Sequence, residues 1–261
     1  MLKVNNLTLC YDEKTIVEDV SFEIKKNTVT TIIGPNGCGK STILKAISRT
    51  KKPTSGKILL GDEDIRTINP KIISKKLSIL PQSPKVPDDF TVRDLISYGR
   101  YPHLGWIGKL LKKDEEIINW AISETNLESL QHRHVITMSG GERQRAWVAM
   151  ALAQEPQILL LDEPTTYLDI CHQFELLELI SRLNKQMNIT VVMVLHDLNQ
   201  AARYSDNIIV IKDKGKFAEG KPSDIINKDI LEEVFNISVK VFYDDDHNCP
   251  FFIPINSRCI N

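Results

Sequence analysis

Apolar and polar residues alternate over positions 2–9 and 20–24, the period expected of half-exposed antiparallel strands. The β-branched run 28–33 ends in glycine and leads into a helical pattern over 40–49. Positions 57–60 and 77–80 read as short strands bounded by Gly or Pro. From 91 to about 154 the period becomes helical. Thr91 with Asp94 and Ser139 with Glu142 each have the spacing of a capping box, and Pro102, Gly105 and Gly108 divide the stretch into separate helices. Beyond Pro156 the pattern predicts a strand over 157–161, a helix over 172–187, a strand over 190–195 and a helix over 198–204. In the first of these helices Leu176, Leu179, Ile180, Leu183 and Met187 share one face, which is expected to pack on a sheet. Positions 208–211 and 216–218 flank Lys214-Gly215 as a hairpin. The pattern is an α/β core with antiparallel strands at its start and a helical insertion in its middle. No internal repeat or low-complexity segment interrupts it.

Composition narrows the function classes. The 261 residues are 42% hydrophobic and 26% charged, and 33 Lys and Arg stand against 34 Asp and Glu. A net charge of -1 gives no general attraction to nucleic acid or anionic lipid. The longest apolar runs, 158–161 and 191–195, fall far short of the roughly 18 residues a bilayer demands. Residues 1–6 carry no apolar segment of the secretory kind, so any membrane role is expected to come through a partner. Five cysteines (10, 38, 171, 249, 259) without a Cys-x-x-Cys pair read as reduced thiols of a cytosolic protein.

Three motifs carry chemistry. Gly34, Pro35, Asn36, Gly37, Cys38, Gly39, Lys40, Ser41 and Thr42 fit G-x-x-x-x-G-K-[ST] between an apolar strand and a helix. The glycines let successive N–H groups turn toward phosphates, Lys40 is expected to reach the β- and γ-phosphates of ATP, and the Ser41 hydroxyl to ligate Mg²⁺. The run 158–161 ends in Asp162 and Glu163. Adjacent carboxylates at a core strand end are costly unless they face a metal and phosphates. Asp162 is therefore expected in the metal shell, with Glu163 polarising an attacking water. The third motif is Ser139-Gly140-Gly141-Glu142. It reads as a helix cap, yet a cap alone does not need two glycines that each lose up to ~1 kcal/mol of helix propensity. Glycine permits close approach of an anion, so this helix start reads as a second phosphate site in a chain with a single phosphate loop, one that serves a partner's nucleotide in trans.

Together these motifs resemble the ABC-type ATPase family over nearly all of residues 1 to about 240. The resemblance implies a P-loop ATPase core with an antiparallel β subdomain and an inserted helical subdomain, in one domain spanning 1–261. Residues 1–90 and 155–220 would form the nucleotide-binding core, 91–154 the helical subdomain and 221–261 a C-terminal extension. It also assigns Tyr11 to stack on adenine, Gln82 to touch Mg²⁺ and the attacking water, Leu168-Asp169 to a turn at a dimer interface, and His196 to contact the γ-phosphate. Taken alone, Tyr11 is more often a half-buried strand residue and His196 a satisfied loop histidine. The family signature usually reads Leu-Ser-Gly-Gly-Gln; Met138 and Glu142 depart from it, the first keeping volume and apolarity and the second keeping the reach-back cap.

Within the family, residues 79–84, 97–103 and 165–173 are similar to the ATPases of ferric siderophore importers, especially the ferric hydroxamate type. Gly99-Arg100-Tyr101-Pro102-His103 would lie on the surface that receives a membrane permease; its plainer reading is a helix end terminated by Gly and Pro. The implied assembly is a homodimer with two Mg-ATP, attached to integral permease subunits at the cytoplasmic face of the membrane and served indirectly by a substrate-binding protein. Importers for cobalamin, haem or another metal chelate are the nearest alternative. A soluble ABC protein acting on ribosomes or DNA, with tandem modules or long coiled-coil insertions, is disfavoured by a single module with about a hundred residues between Lys40 and Ser139. Asp244, Asp245, Asp246, His247 and Cys249 read as a solvated acidic loop rather than a metal site.

Overall fold

A computed structural model describes residues 1–82, 84, 86–105 and 108–257. In chain order its elements are β1 (Leu2–Tyr11), β2 (Lys14–Ile24), β3 (Val29–Ile33), α1 (Lys40–Ile47), β4 (Ser55–Leu60), β5 (Glu63–Asp64), α2 (Pro70–Lys76), β6 (Leu77–Leu80), α3 (Val92–Tyr98), α4 (Lys112–Glu124), α5 (Gly140–Ala153), β7 (Ile158–Asp162), α6 (Ile170–Met187), β8 (Thr190–Val194), α7 (Leu198–Tyr204), β9 (Asn207–Lys212), β10 (Gly215–Gly220), α8 (Pro222–Ile225), α9 (Lys228–Phe235), β11 (Ile237–Asp244) and β12 (Cys249–Ser257). They form two compact units, one of residues 1–68 and 190–257, the other of residues 69–189.

The first unit holds an antiparallel sheet in the order β2-β1-β4-β5. Alternation along β1 buries Leu2, Val4, Leu7 and Leu9 completely or nearly so. A second set of strands runs β10-β9-β3-β8, with β3 parallel to both neighbours and β10 antiparallel to β9. All five residues of β3 and of β8 are buried, as befits parallel strands covered on both faces. The parallel register pairs Thr31 with Met193 and Ile32 with Val194, so both strands end at the same edge.

The tail forms the β11–β12 hairpin, joined to α7 by reciprocal bonds: the Asn199 side-chain amide donates to the Phe252 carbonyl at 3.2 Å, and the Phe252 N–H donates to its Oδ1 at 2.9 Å. The sequence pattern does not foresee it because Pro250 and Pro254 break the strand signal. Pro254 pairs with Val239 beside a register shift, a tolerated place for a residue without an N–H donor. In the turn between the strands, His247 Nδ1 lies 2.7 Å from Asp244 Oδ2. Cys259 and the rest of the tail beyond 257 fall outside the described residues.

The second unit pairs β6 with β7 in parallel, Leu80 opposite Leu161, and carries α2 to α6. Both predicted capping boxes form, at Thr91 with Asp94 and at Ser139 with Glu142. The helix after Asp169 begins at Ile170, two residues earlier than the apolar period indicates, because Asp169 caps it through the His172 N–H. Leu176, Leu179, Ile180 and Leu183 are buried as expected, whereas Met187 at the last turn is 37% exposed. The helix α2 has its start signals, Asn69 accepting from Lys71 and Pro70 at the first position, but is too short to show a period.

Candidate functional site

In the first unit, β3 delivers the chain into the loop 34–39 and then α1. Gly34 and Gly39 are required by their surroundings: a Cβ on Gly34 would overlap the Ile211 carbonyl, and one on Gly39, at φ +105°, would meet Val17. At Gly37 the same space is open. Gly39 has no side chain with which to cap α1, and a helix start without such a cap suits a phosphate. Lys40 is buried, and its ammonium donates to the carbonyls of Gly34 and Pro35, 2.9 Å each, which holds the cation inside the loop. Ser41 and Thr42 follow in the first turn. Burial raises the Cys38 thiol above its ordinary value despite the nearby Lys40, so it stays neutral and packs as a small apolar group.

His196 emerges two residues after β8 and is exposed. Since β8 and β3 are parallel neighbours, His196 and the phosphate loop leave the same edge of this unit. Tyr11, at the end of β1, is 43% exposed, but the Lys51 ammonium sits 3.9 Å from its ring centroid. One ring face is thus covered by a cation, leaving a single face for stacking. Lys51 carries no motif, and its separation of forty positions from Tyr11 conceals the contact in the sequence.

In the second unit, the parallel β6 and β7 bring Gln82 and the carboxylate pair together. Asp162 is 4% exposed at the end of β7. Glu163 follows with a left-handed backbone, φ +52°, a conformation uncommon in non-glycine residues. The Gln82 Nε2 donates to Glu163 Oε2, and the Thr166 hydroxyl donates to the same oxygen at 3.3 Å. Two donors on one carboxylate oxygen fix the orientation of the other.

The turn at 139–142 caps α5 as its sequence demands: Ser139 N–H donates to Glu142 Oε2 at 2.9 Å, and Glu142 N–H to Ser139 Oγ at 3.3 Å. Arg143 donates back to the carbonyls of Ile136 and Met138, steadying the approach to the turn. Gly140 is exposed and meets only ordinary contacts with Leu168 and Tyr167, so its openness fits close approach of an anion. Gly141 differs. It is buried, and the His172 imidazole occupies the space a side chain would need.

The stretch 99–103 also differs from its sequence reading. Arg100 is 2% exposed; it donates to Asp114 at 2.9 Å, to Glu155 at 2.9 Å and to the Ala153 carbonyl at 2.6 Å. A Cβ on Gly99 would overlap the Met150 carbonyl, and His103 Nε2 lies 2.9 Å from the Gln154 carbonyl. Of this segment only Tyr101 is strongly exposed, at 73%. The plainer reading holds for Gly99, Arg100 and His103, which fasten the end of α5. Ser83, in the stretch 79–84, lies outside the described residues.

A G-x-x-x-x-G-K-S loop between a buried strand and a helix is the mark of a P-loop nucleotide-binding protein. The chain belongs to the ABC transporter family, whose model matches residues 17–166. It is 45% identical to the petrobactin import ATP-binding protein FpuD of Bacillus anthracis, over 97% of this chain and 93% of that one. To the iron(3+)-hydroxamate import ATP-binding protein FhuC of Bacillus subtilis it is 46% identical, over 95% and 93%. Among solved structures, a metal-chelate type ABC transporter in an inward-facing conformation superposes with a TM-score of 0.85 at 26% identity, covering 99% of both chains. A dimeric ATP-binding cassette in a post-hydrolysis state with ADP and phosphate gives 0.76 at 28%, over 85% and 98%. The chain is an ATP-binding, ATP-hydrolysing ABC subunit. Among the described residues no helix is long and apolar enough to cross a membrane.

Proposed function

We propose that this chain powers import of an iron–siderophore complex, working as a homodimer on integral permease subunits at the cytoplasmic face of the membrane, with a substrate-binding protein upstream. The observation that carries the substrate class is the match, at 41–46% identity over at least 95% of this chain, to ATP-binding subunits named for petrobactin, hydroxamate, achromobactin and enterobactin transport. The likeness to a metal-chelate transporter favours a second reading, another metal chelate as cargo.

In this reading Gly34, Pro35, Asn36, Gly37, Cys38, Gly39, Lys40, Ser41 and Thr42 hold the phosphates of ATP and Tyr11 stacks on its adenine. Ser41, Asp162 and Gln82 offer only oxygen donors, which suits a hard divalent cation, and bound Mg²⁺ would neutralise charge on the phosphates. Glu163 accepts a proton from the attacking water; in support, its Oε2 is held by the Gln82 amide and the Thr166 hydroxyl. His196 donates toward the γ-phosphate. Ser139, Gly140 and Gly141 act on the nucleotide of the second copy. The protein is one functional domain whose helical insertion, 91–154, carries the exposed Tyr98 and Tyr101 toward the permease.

Replacing the Lys40 codon with one for Ala in the chromosome tests the substrate class. Growth on ferric hydroxamates as sole iron source is expected to stop and to return with the intact gene. Unchanged growth in a strain without a second such ATPase removes the siderophore reading.

A further inference from the structure

We infer that His172 is a positioning residue that locks the turn at 139–141 to the turn at 168–169, so that the two helix starts move as one body. The inference rests on reading residues 139–141 as a phosphate site, and asks what fixes that site in place.

Gly141 lies inside α5 and is buried. Its φ is not positive, so alanine fits its backbone and would even raise helix propensity. The obstacle to a side chain is the ring: a Cβ would overlap His172, lying within 2.7 Å of its Cγ and 3.1 Å of its Nε2. The ring thus gives a packing reason for a glycine at 141, while Gly140 keeps an open surface at its Cβ position.

The ring is held from its other edge. His172 Nδ1 lies 2.7 Å from Asp169 Oδ1, and the His172 N–H donates to the same oxygen at 3.0 Å. The His172 backbone N–H, then its ring, holds the Asp169 carboxyl below its ordinary value, so it is an anion that only accepts. Nδ1 thus carries the proton and donates. Beside it, the Gln173 side chain donates to the Leu168 carbonyl at 3.0 Å, and the Leu168 side chain reaches the Cβ position of Gly140 at 3.5 Å. One turn on, Arg145 of α5 and Glu175 of α6 pair at 3.3 Å. A flat ring held by one carboxylate fits against a bare glycine. Shifting the 139–141 turn by even an ångström is expected to cost hydrolysis between about tenfold and a hundredfold.

The test is a suppressor cycle in the full chain: Gly141→Ala, His172→Ala, the double variant and His172→Asn, each read by thermal melting without nucleotide and by ATP hydrolysis. Gly141→Ala is expected to melt lower and lose most of kcat. His172→Ala is expected to lose kcat several-fold with KM nearly unchanged. The double variant is expected to match His172→Ala in both readouts, well above Gly141→Ala, because the ring that clashed is gone. His172→Asn, whose amide can still donate to Asp169, is expected to exceed His172→Ala. A double variant no faster than Gly141→Ala, or His172→Ala with wild-type turnover, overturns the positioning role. Failure of the phosphate reading shows separately, as full hydrolysis by Ser139→Arg.

Discussion

The guanidinium of Arg100 donates to the Asp114 carboxylate at 2.9 Å with both side chains more than nine-tenths buried. A second pair to Glu155 and a bond to the Ala153 carbonyl complete the donor set. Removing one partner of a buried pair strands the other charge, which costs about 3–5 kcal/mol. Arg100→Leu is expected to lower unfolding free energy by that order in urea titrations. Arg100→Lys is expected to recover little, since one ammonium cannot serve three acceptors in a planar fork. A loss below about 1 kcal/mol, the size of an exposed pair, would contradict the assignment.

The Glu142 carboxyl is held below its ordinary value of 4.5, chiefly by the Ser139 backbone N–H. Because the folded value is depressed, the cap's contribution is present above the ordinary value and is lost as pH falls through the folded one. Glu142→Gln keeps the acceptor oxygen but cannot titrate. It is expected to hydrolyse ATP near the wild-type rate at neutral pH, and to melt with less dependence on pH below about 4.5 than wild type. Equal acid dependence in the two proteins would show that Glu142 does not carry the effect.

Lys51 covers one face of the Tyr11 ring, and the residue is 43% exposed. Tyr11→Ala is expected to raise KM for ATP with kcat little changed, the signature of lost ground-state binding. Lys51→Ala removes only the cation over the ring, a contact already present without nucleotide, so its KM is expected to change less than that of Tyr11→Ala. A fall in kcat with constant KM in either variant would move Tyr11 from nucleotide binding to the chemical step.

The parts of this protein that were readable in its sequence are those whose cause is local. The phosphate loop, the Asp162-Glu163 strand end and both capping boxes depend on neighbours within a few residues. Parallel pairing brings His196 out at the same edge as the phosphate loop and Gln82 to Glu163, positions that in the sequence only the family resemblance singled out. What stayed hidden depends on residues far apart in the chain. Gly141 meets His172 thirty-one positions on, Arg100 meets Glu155, and Lys51 covers Tyr11. The tail hairpin was obscured by its own prolines, while α9 carried legible signals, an Asn227 cap and a left-handed Asn236 at its end.

In the proposed function, ATP closes two copies of this chain on each other through the 139–141 turn. Glu163→Gln should bind ATP without turnover, and light scattering should then report the mass of two chains with Mg-ATP and of one chain without it. Adding Ser139→Arg to Glu163→Gln should return the mass to one chain while a fluorescent ATP analogue still binds. A Glu163→Gln protein that hydrolyses ATP normally, or one that stays a single chain at saturating Mg-ATP, would contradict the account.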